Sequence, residues 1–198
     1  MSGITQYEDF MVYPNAVLSQ DLGFSNAVMS SYQTQLYLRK QLNTLHGLLY
    51  KKSDKGPQGP HLPGKEAHAW FKDAVGFEAS QAWNPGLYYF TPTHPPASDI
   101  LTARIRAKVW GAHVIMYRPH IKTILDFNHN RLSNEQTASA PGGFLSHYIP
   151  PPDGHTTAAE ILEGARKGIY AHFQSTKAFH GLKEKRFIIT NVFGTAHA

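Results

Sequence analysis

The chain has 198 residues, of which 41% are hydrophobic, 12% aromatic and 17% charged, with 16 Gly, 13 Pro and 12 His. That composition supports a core for one compact domain and excludes the charge-rich, aromatic-poor signature of a disordered chain. Cysteine is absent, which excludes disulfide scaffolds, cysteine-ligated zinc and iron–sulfur sites, and thiol catalysis.

No apolar run approaches the roughly 20 residues of a membrane-spanning helix. The N-terminus, MSGITQYEDFMVYPN, is acidic and aromatic and lacks the basic start and apolar centre of a signal peptide. A soluble intracellular protein is expected. The net charge of +5 raises the question of nucleic acid. No basic residue precedes Arg39, and the rest fall in three groups, Arg39 to Lys72, Arg104 to Arg131 and Arg166 to Arg186. None is a dense run on a recognisable reading element, so a moderately basic solvated surface accounts for the charge.

The first predicted element is a helix over 25–52. Ser25 or Asn26 can cap it, and Tyr32, Leu36, Leu42, Leu45 and Leu49 recur at helical spacing. Residues 53–65 are rich in Pro and Gly and read as an exposed loop. The stretch 66–83 predicts one or two short helices with Trp70, Phe71, Val75, Phe77 and Trp83 available for packing. LYYF (87–90) is followed by Pro92, Pro95 and Pro96 and reads as an extended connector. Ser98, helped by Asp99, is expected to cap a helix over 98–127 with the stripe Leu101, Ile105, Val109, Ala112 and Met116. Pro119 should kink or break it.

Residues 128–156 read as a long connector. Thr157 and Glu160 then form a T-x-x-E capping box at the head of a helix over 157–181. Its expected core residues are Ile161, Leu162, Ala165, Ile169, Phe173 and Thr176, and Gly181 is its expected stop. The last segment, RFIITNVFGTAHA, fits strand or helix by pattern alone. The expected fold class is all-α, about five helices in one region, 1–198.

Candidate chemistry is sparse. Gly59, Gly64 and Lys65 have phosphate-loop spacing, but Glu66 replaces the magnesium-binding hydroxyl and two prolines remove backbone donors. Gly23-Phe24-Ser25-Asn26-Ala27 echoes a nucleophile elbow, yet no strand precedes it and Ser25 serves better as a cap. His113 and His120 are two turns apart with Pro119 between them, and His172 and His180 lack carboxylates at ligand spacing. No catalytic, cofactor, metal or DNA-binding residue is assigned from pattern.

Four stretches taken together carry a resemblance. They are YQTQLYLRKQLNTLHGLLY (32–50), DILTARIRAKVWGAHVIMYRPHI (99–121), ARKGIYAHFQSTKAFHG (165–181) and FIITNVFGTAHA (187–198). In order and spacing they resemble the C-terminal half of the regulatory, or middle-homology, region of fungal zinc-cluster transcription factors. The residues that carry it are Arg39, Asn43, Arg104, Arg106, Lys108, Gly111, Arg118, Pro119, Phe179, Thr190, Asn191, Gly194 and Thr195.

The resemblance implies a helical, non-catalytic region acting in transcription regulation and located in the nucleus. It implies protein partners, an intramolecular regulatory contact or a small effector, with no membrane and no specific nucleic acid bound by this chain alone. The six-cysteine DNA-binding module is missing, so the family's zinc has no site here and no cofactor is expected. In the family the last stretch is a helix over 187–198 that continues further, so an incomplete fold and a truncated product are expected. The alternative is a small α-helical enzyme or ligand carrier whose site gathers His113, Arg118, His120 and His172.

Overall fold

The computed structural model describes residues 23, 25–50, 62–75, 90–133, 144–149 and 156–182. Among them the fold is all-helical: α1 (Asn26–Leu49), α2 (Lys65–Val75), α3 (Ile100–Ser133), α4 (Phe144–His147) and α5 (Ala158–Lys177), with no strand. The expectations for 53–61, 76–89 and 183–198, including Phe77, Trp83, Thr190, Asn191, Gly194 and Thr195, lie outside the described residues.

The caps follow local chemistry. Ser25 caps α1, its hydroxyl accepting from the Val28 N–H at 3.4 Å. At α3 the cap is Asp99 rather than Ser98, because the Asp99 carboxylate accepts from the Thr102 N–H at 2.8 Å. A carboxylate at that position also faces the positive end of the helix dipole, which a serine hydroxyl does with less charge. The capping box at α5 forms in both directions: Glu160 N–H donates to the Thr157 hydroxyl, and Thr157 N–H donates to the Glu160 carboxylate at 2.7 Å.

Helix α3 is the centre of the molecule. It packs most extensively on α5 and next on α1, with α2 against α1 and α3. Its buried residues fall on two opposite faces, Ile105, Val109, Ala112 and Met116 on one and Ala103, Ala107, Trp110 and Val114 on the other. A helix with two opposite apolar faces is one sandwiched between others. Of its expected stripe, Ile105, Val109, Ala112 and Met116 are buried and Leu101 is half-buried. Helix α1 contributes Ser31, Thr34, Leu38, Leu45 and Leu49. Leu36 and Leu42 are half-buried and Tyr32 is exposed, so Leu38 takes the central place expected of Leu36. Helix α2 presents Ala67, Phe71 and Val75 on one face, and the Tyr37 hydroxyl donates to the Ala74 carbonyl at 3.0 Å to tie α1 to α2.

Three expectations are corrected. Pro119 does not break α3, which runs unbroken through it to Ser133. The ring cannot donate to the Ile115 carbonyl, a defect of about 3 kcal/mol in an isolated helix. Here the proline is buried and α3 rests on α5 on both sides of it, so a break would forfeit packing at both ends. Residues 128–133 of the connector expected over 128–156 belong to α3; 134–143 and 150–155 lie outside the described residues, and between them stands α4, whose Phe144 meets Phe127 edge-on at 5.3 Å and stacks with Tyr148 at 4.6 Å.

The third correction concerns α5. Ile169 and Phe173 are 62% and 60% exposed, and the buried row is Ile161, Gly164, Ala165, Gly168, Ala171 and Ser175. A row taken every fourth residue slides about 40° per step around a helix of 3.6 residues per turn. Residues 161, 165, 169 and 173 therefore wind off the α3 interface. The series 161, 164, 168, 171, 175 alternates steps of three and four and stays on it. Small residues along that row let the two helices approach closely. Ser175 closes the interface by donating to the Ala107 carbonyl at 3.3 Å. The helix ends at Lys177 and is followed by a turn over 178–181. Gly181 is not a left-handed cap. It lies against the 96–97 backbone, where an added Cβ would sit 2.4 Å from the Ala97 carbonyl oxygen.

Candidate functional site

Four polar rings converge where α2, α3 and α5 meet: His120 is buried, His113 and Tyr117 are half-buried and His68 is exposed. His113, Tyr117 and His120 follow one another along α3, since the helix is continuous and Pro119 does not separate them as expected. His68 reaches the same place from α2, with ring centroids 6.2 Å from Tyr117 and 6.4 Å from His120. Tyr117 lies 5.7 Å from His120 and 6.4 Å from His113. Phe71 meets His113 edge-on at 4.8 Å, and Trp110 is 5.4 Å from it on the other side.

His120 is 3% exposed and fills the notch left by Gly164, where an added Cβ would sit 2.2 Å from its Cδ2. Tyr117 and Ile121 fill the next notch, at Gly168, with a closest approach of 3.0 Å. These interlocking rings and glycines fix the register of α3 against α5.

The electrostatics keep the imidazoles neutral. Burial lowers the His113 pKa to about 4. His120 also falls to about 4, first through burial and then through His68 and Lys167, while the Tyr117 carbonyl pulls weakly the other way. The His120 Nδ1 is enclosed and has no hydrogen-bond partner among the described residues. His68 is lowered by desolvation and by Lys167. Burial raises the Tyr117 hydroxyl, and Glu163 adds to it. A general base works best with a pKa near the working pH, and rings held near 4 are weak bases. Among the described residues no group of three or more His, Asp or Glu side chains is placed to hold a metal ion.

The residues proposed for a His/Arg site do not come together. His120 is buried and His113 half-buried on α3, whereas Arg118 and His172 are exposed. The remaining residues that carry the family resemblance divide by role. Arg106 donates to the Pro95 carbonyl and lies over the Phe90 ring at 5.1 Å, binding the 90–99 connector to α3. Pro119 is buried, Phe179 is half-buried in the turn after α5, and Gly111 has open space where a Cβ would stand.

Arg39 and Asn43 lie on α1, exposed and half-buried, and Arg104 and Lys108 lie one turn apart on α3. Lys108 is half-buried. Its ammonium is pushed below its ordinary pKa by burial, and Arg104 and then Arg39 add to the effect.

Sequence reasoning missed His68, Tyr117 and the glycine row of α5. The row had a legible signal, small residues at 164, 165, 168, 171 and 175. His68 had none, because it comes from another element. No helix among the described residues is long and apolar enough to cross a membrane. Comparison with protein-family models, with curated proteins and with solved structures finds no match.

Proposed function

We propose that the chain is a non-catalytic helical regulatory module of a transcription regulator, working in the nucleus through a protein partner, an intramolecular contact or a small effector. One observation carries the reading. Three of the four stretches that resemble the fungal zinc-cluster regulatory region fall on α1, α3 and α5, the three longest helices, and α1 and α5 both pack on α3. The stretches that resemble the family are thus also the ones that build the packed unit. Two further features support it. The interior histidines are depressed in basicity, which disfavours acid–base catalysis near neutral pH. The outer face of α5 exposes Ile169, Tyr170 and Phe173, apolar surface suited to a macromolecular contact.

The test is a reporter assay. The full 198-residue chain, fused to an unrelated DNA-binding module, should change transcription from that module's site. Gly164→Leu, which parts α3 from α5, should remove the change. A folded fusion that leaves the reporter unaltered overturns the reading, as does substrate turnover that depends on His113 or His120.

A further inference from the structure

Where the 90–99 connector, α3 and the end of α5 meet lies a cavity of about 20 Å³, bordered by Phe90, His94, Arg106, Trp110, Gln174 and Lys177. It brings two cations to one place from different elements, Arg106 from α3 and Lys177 from the last turn of α5. The Arg106 guanidinium is fixed there, donating to the Pro95 carbonyl and lying over the Phe90 ring at 5.1 Å. A guanidinium held in this way offers its remaining donors with little further loss of freedom. Asp99 acts on it from the head of α3, but that carboxylate is already engaged by the Thr102 N–H. The cavity continues into the exposed face of α5. Its Trp110 meets Tyr170 edge-on at 5.7 Å, and the Lys177 ammonium lies over the Phe173 ring at 5.9 Å. A cationic pocket and an exposed aromatic ridge are thus one continuous surface, with Tyr170 and Phe173 both open to solvent.

We propose that this surface docks an acidic segment of a partner protein, with an Asp or Glu carboxylate seated against Arg106 and Lys177 and a neighbouring large apolar side chain laid on Tyr170 and Phe173. The cavity has room for about one water-sized group, which suits the edge of a planar carboxylate better than a tetrahedral phosphate. A carboxylate also matches the paired donors of a guanidinium, and the ammonium adds a compact charge beside it. The rest of the surface carries rings where a nucleic-acid backbone would need further cations, and so calls for an apolar side chain. Arg, Tyr and Trp, all present here, are the residues on which binding energy concentrates at protein interfaces. Such a segment would be the protein partner of the proposed regulatory module, so its biological meaning rests on that reading, whereas its binding, measured directly, does not.

Fluorescence anisotropy of a labelled, end-capped peptide alternating Asp and Phe, titrated with the full chain at constant ionic strength, tests it. Lys177→Met keeps the unbranched stem and removes the charge, and Phe173→Gln changes an exposed ring. Each should weaken binding about tenfold, the loss of one charge-assisted or one apolar contact, while leaving the thermal unfolding curve in place. Arg106→Lys keeps the charge but loses the planar fork, and should weaken binding at least as much. Peptides with Asn in place of Asp, or Ser in place of Phe, should also bind about tenfold more weakly. Equal affinity for the original chain, Lys177→Met and Phe173→Gln would overturn the proposal, as would no binding at all. An Asp–Ser peptide that binds as well as the Asp–Phe one would reveal general charge attraction and overturn it too. A duplex oligonucleotide that displaces the peptide and depends on the same residues would assign the surface to nucleic acid instead.

Discussion

Gly164→Ala tests the interlock between α3 and α5 most sharply. The new Cβ would lie 2.2 Å from the His120 Cδ2 and 2.6 Å from its Cγ, so the ring must retreat by more than 1 Å. It has nowhere to go, being 3% exposed and flanked by Tyr117 and His68. Overpacking of this kind costs about 1–3 kcal/mol. Replacing glycine by alanine within a helix returns about 0.5–1 kcal/mol. The net loss is about 1–2 kcal/mol, which in a chain of this size lowers Tm by about 2–8 °C. Gly47→Ala is the control, because nothing lies within 4 Å of its Cβ position and the same helical gain should appear as stabilisation. In a His120→Ala background the cost of Gly164→Ala should vanish, giving a strongly non-additive cycle. Thermal unfolding followed by circular dichroism measures all four. If Gly164→Ala stabilises as much as Gly47→Ala, the close seating of His120 on α5 is wrong.

The other predictions concern the same interface. In the unfolded chain histidines titrate near 6.5, whereas His113 and His120 do so at about 4 when folded. Between those values the unfolded state binds more protons, so stability is complete above pH 6.5, falls as pH drops towards 4, and loses nothing further from these rings below that. The loss by pH 4 and below is on the order of 3 kcal/mol per ring, and a urea midpoint that is flat from pH 7 to 4.5 would refute it. Ile161→Ala, at the buried head of α5, should cost about 3 kcal/mol, while Phe173→Gln on the exposed face should stay within about 0.5 kcal/mol. Arg106→Ala should cost about 2 kcal/mol and should loosen the 90–99 connector, seen as faster amide exchange there; unchanged exchange would remove Arg106 from that role.

The legible part of the fold is the part fixed by local chemistry. The T-x-x-E box at Thr157 and Glu160 forms as spelled, since both of its hydrogen bonds close within one turn. Helix α3 shows its stripe because apolar residues at 105, 109, 112 and 116 alternate steps of four and three and so hold one face. The same rule explains the failure on α5. Ile161, Ile169 and Phe173, with Ala165 between them, stand at a constant spacing of four, yet the interface follows the 3.6-residue period through glycines, alanines and Ser175. Where two helices approach through small residues, bulk is a poor guide to burial. Pro119 departs from its local expectation for a related reason. Its local penalty is real, but a buried seam on both sides outweighs a single missing donor.

The interior cluster was only half legible, and the limit is geometric. His113, Tyr117 and His120 could be placed together only after α3 was known to continue through Pro119. His68 belongs to α2, and no spacing within one element foretells a partner from another. The chemistry of the rings was even less readable, because a histidine at ordinary pKa and one held near 4 are the same letter; enclosure makes the difference. Lys108 makes the point in reverse. Read along α3, Arg104 and Lys108 are a routine pair of charges one turn apart, worth a few tenths of a kcal/mol of repulsion on an open helix. On the folded chain Lys108 is half-buried, and desolvation first, then Arg104 and Arg39, push its ammonium below its ordinary pKa. Neither helix specifies that environment by itself.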